Sequence, residues 1–522
     1  MSEMNHPSWR EAVCPVLLAA IWPAVLAAAP SGGPSAPAAA HPGCERVDAH
    51  GCVALAMQAM GGAARLSAIS NERLDIIGHT LLTEQSYRQA PFITAYSRAR
   101  KSVDFVGRRV ATEGHAVWPE SDPDTASAES SYTAVAWEQG AVRRADGGDG
   151  PGALTDIDDA RAVLDLGPER LLLTAQAAPD VHFEPAETLR STVHAVVAFR
   201  WRDRTVKVLI NAYNHLPDAT ESTRFFNDFW FAWGDVRQRV FYDNWKLIGG
   251  VVYPTNRIEE RNGVLWKSSQ VLEATFNLAR DDKLFAMDPA AAAKSAQSKG
   301  WNRAFDDRHA VALAPGVDLY QGSWNVTVIR QDDGVLVMEA PISPTFTAGV
   351  LAKARTAHPA AHLKAVLSTS DSWPHVAGVR EAVADGLPVY VLDLNQPLLE
   401  RMVAAPHSQQ PDRLQSSPRQ ARWIIVSGRT QIGAGANRLV LYPLQGASTE
   451  RQYMVYFPNR KLLYASDTLS IDPDKHTLYD PELMREVLGA VEREHLEVDT
   501  VYAMHEGPTP WREVTRMVAA AT

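Results

Sequence analysis

The sequence predicts an α+β chain. A helix and a large antiparallel sheet come first, then a region in which strands and helices alternate. Two patterns carry this. From about Ser191 to Leu278, "VHAVVAFRW", "TVKVLINAYN" and "SSQVLEATFNL" alternate apolar and polar residues with turns at short intervals. That period of two marks antiparallel strands with one buried face. From about Arg308, strand-like runs such as "HLKAVLST" and "LPVYVLD" flank a helical run, "PHVAGVREAVADG". That order marks an α/β sandwich or sheet. At 522 residues the chain has room for two domains plus extra segments.

Taken in order, the elements divide as follows. Residues 1–40 read as an export signal and linker: Arg10 precedes an apolar run from Val13 to Ala29, small-residue cleavage sites follow, and "PSGGPSAPAAAHPG" is flexible in composition. The mature chain is then expected in the periplasm or outside the cell, with no membrane span; an uncleaved anchor is the rival reading, against which Pro15, Pro23 and the short run argue. Cys14 lies in the signal. Cys44 and Cys52 flank a short polar loop, and in an exported protein they are expected to form a disulfide. Residues 41–287 form the first domain, opening with a helix broken at Gly61-Gly62; residues 119–160, rich in Asp, Ser, Gly and Ala, read as a long surface loop. Residues 288–307, with "DPAAAAKSAQSKG", read as a connector, and 308–522 as the second domain. The aromatic-rich segment Thr223–Trp245 reads as core, with an apolar ligand site or a partner surface as the alternative.

Composition narrows the functions. A net charge of -10 without a Lys/Arg cluster argues against a nucleic-acid partner. A small molecule or another protein remains open as the partner. There is no Gly-rich phosphate loop and no Gly-x-Ser-x-Gly elbow.

The stretch "STSDSWPHVAGVREAVADG" carries the chemistry. Structurally, Ser372 can cap a helix that Pro374 starts and Gly386 ends. Yet its setting, with "GVDLYQGSWNVTVI", "GVLVMEAP", "LYPLQGASTERQYMVYFPNRKLLYASDTL" and "DTVYAMHEGPTPW" in this order, resembles the metallo-β-lactamase fold superfamily over about residues 309–515. The resemblance implies an αββα sandwich. The first domain similarly resembles, by pattern, the periplasmic lipoprotein-carrier fold.

The family's Thr-His-x-His-x-Asp-His segment falls on Thr369 to His375, which places Ser370 and Ser372 at its first two histidines and Pro374 at its aspartate. The Gly-x-His-Thr histidine falls on Ser448. His375, the bridging Asp467 and the final His505 are kept, and Glu339 stands where the family has an Asp. A serine hydroxyl is a poor ligand beside an imidazole, so the first zinc site is lost. The resemblance therefore implies either an inactive or non-canonical hydrolase homologue acting as a binding or scaffold module, with no cofactor, or a mononuclear hydrolase of an ester, thioester or amide. The latter would hold one divalent metal, zinc foremost, on His375, Asp467 and His505. A serine nucleophile (Ser370 or Ser372) with a histidine base and Asp467 behind it has the right composition, though the spacing does not enforce the geometry. A lipid or acyl-chain carrier role for the first domain is a further expectation.

Overall fold

In the computed structural model, which describes residues 41–83, 92–117, 130–144 and 148–521, the period-two segments form one antiparallel sheet of thirteen strands. Its first six strands run outward in reverse order, from Asn71–Leu82 to Asp149–Pro151 at one edge. Asn71–Leu82 then pairs with Val264–Phe276, and the remaining strands continue to His182–Leu189 at the other edge. Where residues of the expected surface loop at 119–160 are described, they are largely not loop. Ser130–Ala136, Gly140–Arg144 and Asp149–Pro151 are strands of this sheet, and a helix occupies Leu154–Leu166. Short polar strands at a sheet edge have too little apolar alternation to stand out from a loop.

Helices cover one face of the sheet. The opening helix is Ala49–Ala59, followed after the glycine pair by Ala63–Ser67. Gly61 has φ +112°, and a Cβ there would lie 2.5 Å from the Gly250 carbonyl oxygen, so the break needs glycine. These helices and Pro168–Ala177 bury Val53, Leu66, Leu171 and Leu172 against Val197, Phe199, Val208 and Ile210. On the opposite face, a cleft of about 760 Å³ beneath residues 278–288 has a mixed lining, with Arg73, Arg100 and Glu113 beside Val135, Leu284 and Phe285.

Cys44 and Cys52 are bonded and both buried, fixing the turn that leads into the first helix. Closing so short a loop restricts the unfolded chain by about 2–3 kcal/mol. The double variant Cys44→Ser, Cys52→Ser should lose about that much stability in a urea titration, with no change in the candidate site described below.

The second region is a four-layer sandwich. One sheet orders its seven strands in sequence from Ala310–Ala314 to Arg422–Val426; the other orders six, from Thr430–Ile432 to Thr509–Pro510. Strand alternation builds the layers. Leu336 and Met338 face the second sheet with Leu441, Val455 and Tyr464, whereas Val335 and Val337 face outward to Val350 and Leu351 on helix Pro344–Ala357. On the far side, Met484, Val487 and Val514 of helices Pro481–Arg493 and Trp511–Ala520 pack on Val440, Met454 and Val501. This is the αββα order expected from the sequence.

The aromatic segment read as core does join the two regions. Phe229–Trp233 forms a 3-10 turn whose Trp230 and Trp233 meet the ring of Trp373 edge-on, at 4.7 and 5.2 Å between centroids. Beside it the Asp235 amide donates to the Pro406 carbonyl (2.8 Å), and the Asp235 carboxylate accepts from the Ser408 and Gln409 amides (2.9 and 3.1 Å). Within the connector at 288–307, Pro289–Ala296 is helical, capped by Asp288, with Ala291, Ala292 and Ser295 buried. Among the described residues, no helix is long and apolar enough to cross a membrane. The export signal and linker lie outside the described residues.

Candidate metal centre

The two sandwich sheets each contain parallel strands, and the candidate residues gather beyond their C-terminal ends, where open α/β sheets place their sites. Strand Leu363–Ser368 runs parallel to Gly334–Met338 and delivers residues 369–375; Leu462–Tyr464 runs parallel to Thr500–Tyr502, and these deliver Asp467 and His505. Three non-glycine residues in these connections hold positive φ: Glu339 (75°), Ile342 (71°) and Ser466 (57°). A β-branched residue in that region is strained, and such strain concentrates at functional sites.

Local hydrogen bonds fix each connection. The Ile342 amide donates to the Pro374 carbonyl (2.7 Å) and the Gly378 amide to the Ala340 carbonyl (2.9 Å). Asn325 pins the last loop by donating from its side chain to the Ala503 and Glu506 carbonyls, at 2.9 and 3.1 Å. The Asp467 amide donates to Gln452 Oε1 (2.9 Å).

His375, Asp467 and His505 come together, with one ligand atom of each within 4.8 Å of the others. His505 Nε2 lies 3.3 Å from Asp467 Oδ1, and His375 Nδ1 lies 3.6 Å from Asp467 Oδ2. Donors about 2.1 Å from a tetrahedral zinc stand about 3.4 Å apart, so both edges suit a shared cation. The His505 Nδ1–H donates to the Ser323 carbonyl at 2.7 Å, which turns Nε2 toward Asp467; this is the outer hydrogen bond that orients a ligating imidazole. The donor set therefore fits one metal. His375 is buried and His505 about one-third exposed, so the centre is open on one side.

Electrostatics agree with this division. Burial, partly offset by Asp467, pulls the His375 pKa down to about 4, so its imidazole is neutral and free to ligate near neutral pH. Burial opposes a charged His505, but its hydrogen bond to Asp467, the carboxylate charge and the Ser323 carbonyl outweigh that and raise its pKa. A proton on His505 thus occupies the place a metal would take.

The replaced positions behave differently. Ser370 is fully buried, and its Oγ lies 3.0 Å from His375 Nδ1. Ser372 starts the short helix Trp373–Val376 but makes no side-chain cap; its carbonyl accepts from the His375 and Val376 amides instead, which corrects the capping expectation. Ser448 is tied to another element: its amide donates to Glu486 at 3.1 Å. A serine triad is not built here. The imidazole would need to face serine with one nitrogen and aspartate with the other, yet Ser370 and Asp467 both address Nδ1 of His375.

Sequence reasoning missed several residues. Ser323, Trp324 and Asn325 sit in "QGSWNVTV", read only as a hairpin, yet Trp324 meets the His505 ring at 5.9 Å. Asp371, between the two serines, is fully buried beside Arg451 Nη1 at 3.4 Å; burial raises its pKa to about 8 against the pull of that guanidinium. Glu339, by contrast, was singled out in the sequence; it is buried and accepts from the Thr369 hydroxyl and from the Tyr464 hydroxyl (3.2 Å). Burial pushes its pKa from 4.5 up to about 7 despite those bonds.

A carboxyl raised in the folded state stabilises it fully below the unfolded pKa and loses that contribution as pH rises through the folded value. Stability should therefore fall between pH 4.5 and 7 by up to about 3 kcal/mol from Glu339. Glu339→Gln should flatten that part of the stability–pH curve in denaturant titrations.

No protein-family model and no curated protein matches the chain. Solved structures similar to it are metallo-β-lactamase-fold proteins. A metallo-β-lactamase from Pontibacter korlensis is 13% identical, covering 41% of this chain and 97% of its own, with a TM-score of 0.32. One from Hirschia baltica is 14% identical, covering 42% and 98%, with a TM-score of 0.31. The stereoselective inverting sec-alkylsulfatase Pisa1 from Pseudomonas sp. is 14% identical, covering 44% of this chain and 43% of its own, with a TM-score of 0.31.

Proposed function

We propose that the sandwich holds one divalent metal, zinc foremost, on His375, Asp467 and His505, and hydrolyses an ester, thioester or amide. The observation that carries this is the convergence of the three donors from separate connections, with an outer hydrogen bond already orienting His505. A metal bound there supplies Lewis-acid activation of water. The chain's own residues do the rest. Asp467 lies between the two imidazoles and gives the centre its negative charge. Ser370 Oγ lies 3.0 Å from His375 Nδ1, the nitrogen that faces Asp467, so a metal bound there would take the place of that contact. His375 is buried, and the exposed edge of His505 leaves a route for substrate. Export to an oxidising compartment fits the buried disulfide.

One observation favours the reading as a retired site on a binding scaffold: the donors already satisfy one another, His505 with Asp467 and Ser370 with His375. The two readings separate in one experiment. Hydrolysis of a panel of thioesters, esters and amides is followed with and without a chelator, for the parent and for Asp467→Ala. Turnover that both the chelator and the substitution remove supports the hydrolase. A partner that still binds Asp467→Ala, with no turnover from either protein, supports the scaffold.

A further inference from the structure

Among the described residues, the three most exposed large hydrophobic side chains share one end of the thirteen-stranded sheet. Tyr213 is 81% exposed, Leu247 74% and Val106 73%; Leu272 follows at 53%. Val106 lies in the turn between strands Ile93–Asp104 and Arg109–Val117. Leu247 comes just before the Gly249-Gly250 turn between Val236–Ile248 and Val251–Arg261, and Tyr213 lies in the loop between Arg204–Asn211 and Pro217–Arg224. The register brings these connections to one rim. Asp104 pairs with Asn71 and Glu72 with Phe276, and a Cβ at Gly249 would lie 3.3 Å from the Phe276 ring. Antiparallel alternation gives the loop at 211–216 the same end. The connection 225–235, which meets the sandwich through Trp230, Trp233 and Asp235, is at the other end. The described two-residue turns of that end are hydrophilic, Arg202-Asp203 and Asn262-Gly263.

Single exposed apolar side chains need no explanation, but a row of them on turn tips does. Turns are made by residues such as Gly107 and Gly249-Gly250; nothing in their geometry asks for the Val106 or Leu247 side chain. Two further features point to what covers the rim. Arg65 lies against Gly250, Lys246 precedes Leu247, and Arg46 follows Cys44; all three are exposed, with Glu45 and Asp48 partly offsetting them. Basic side chains beside apolar tips suit an anionic lipid surface. The chain also enters at this rim. His215 Nε2 lies 2.9 Å from the Gly43 carbonyl oxygen, and the Cys44–Cys52 disulfide follows. Residues 1–40, with the apolar run from Val13 to Ala29, are joined to the sheet at that point. We propose that this rim docks on a lipid surface, with Val106, Tyr213 and Leu247 entering the headgroup region and the sandwich held at the far end of the sheet. The inference goes beyond the proposed hydrolase and does not depend on the metal centre.

The test is sedimentation with vesicles of phosphatidylethanolamine and phosphatidylglycerol in equal parts. It uses the chain from His41 to Thr522, which contains every described element and which signal cleavage would leave, so that the apolar run cannot itself carry the binding. The expected result is saturable sedimentation with the vesicles. Leu247→Ser should weaken it by about fivefold or more, as removal of an apolar side chain from lipid does. The triple variant Val106→Ser, Tyr213→Ser, Leu247→Ser should stay in solution with an unchanged denaturation midpoint. Leu394→Ser, which removes an exposed leucine of the sandwich, should bind like the parent. The proposal is overturned if the parent does not sediment with the vesicles, if the triple variant sediments as the parent does, or if Leu394→Ser loses as much as Leu247→Ser. A chain that is dimeric without lipid and monomeric as the triple variant would also overturn it, by making the rim an interface between copies.

Discussion

Asp467→Ala is expected to strip the metal from the sandwich and abolish turnover while leaving the fold intact. Asp467 makes both of the short edges in the donor cluster, at 3.3 and 3.6 Å, so its loss leaves two imidazoles with no charge between them. Removing an outer partner of a metal ligand already costs 10–100-fold in affinity; removing a ligand from a set of three should cost more than about 100-fold. Stability should change little by comparison. The carboxylate is partly exposed, and the surrounding backbone is held by other bonds, among them the Met504 amide to the Ser466 carbonyl at 2.9 Å. Equilibrium dialysis against zinc and a thermal melt on the same two proteins check both halves. Retained zinc affinity, or a melt that collapses, would place the role of Asp467 elsewhere.

Trp373→Ala should be the most destabilising single substitution at the junction. The ring is buried and receives Trp230 and Trp233 edge-on, so the change opens a cavity under the segment that ties the large sheet to the sandwich. Deleting a buried indole costs about 3–5 kcal/mol. Trp373→Phe should cost far less, because the Trp373 indole N–H makes no hydrogen bond that the smaller ring would lose. Denaturant midpoints for both variants test this. A loss below about 1 kcal/mol for alanine would mean that the three tryptophans touch without holding the junction.

Much of the fold was legible because burial on one or both faces writes itself into the residues. The all-apolar "VLVM" before Glu339 and "AVL" before Ser368 announce strands covered on both sides, and the helical stretch that follows the second begins beside Pro374 and ends before Gly386. The edge strands at 130–151 were not legible, since their side chains alternate too weakly. At the site, the retained histidines and Asp467 stood out by residue type and order. Whether they meet depends on three separate strand ends, which no local pattern encodes. The supporting residues were hidden for a related reason. Ser323 acts through a backbone carbonyl, which no side-chain pattern announces. Ser372, by contrast, had the signature of a cap and is not one, because the backbone of the helix start satisfies itself.

The most direct measurement is metal content by mass spectrometry on the purified chain after incubation with zinc, iron or manganese, with His505→Ala beside it. Near one metal per chain in the parent and none in the variant is the result the single-site account predicts. Two histidines and a carboxylate also suit non-haem iron, so the identity of the metal selects the chemistry to screen. No metal in either protein would contradict the account, and would mean that His375, Asp467 and His505 are a hydrogen-bonded cluster at a retired site.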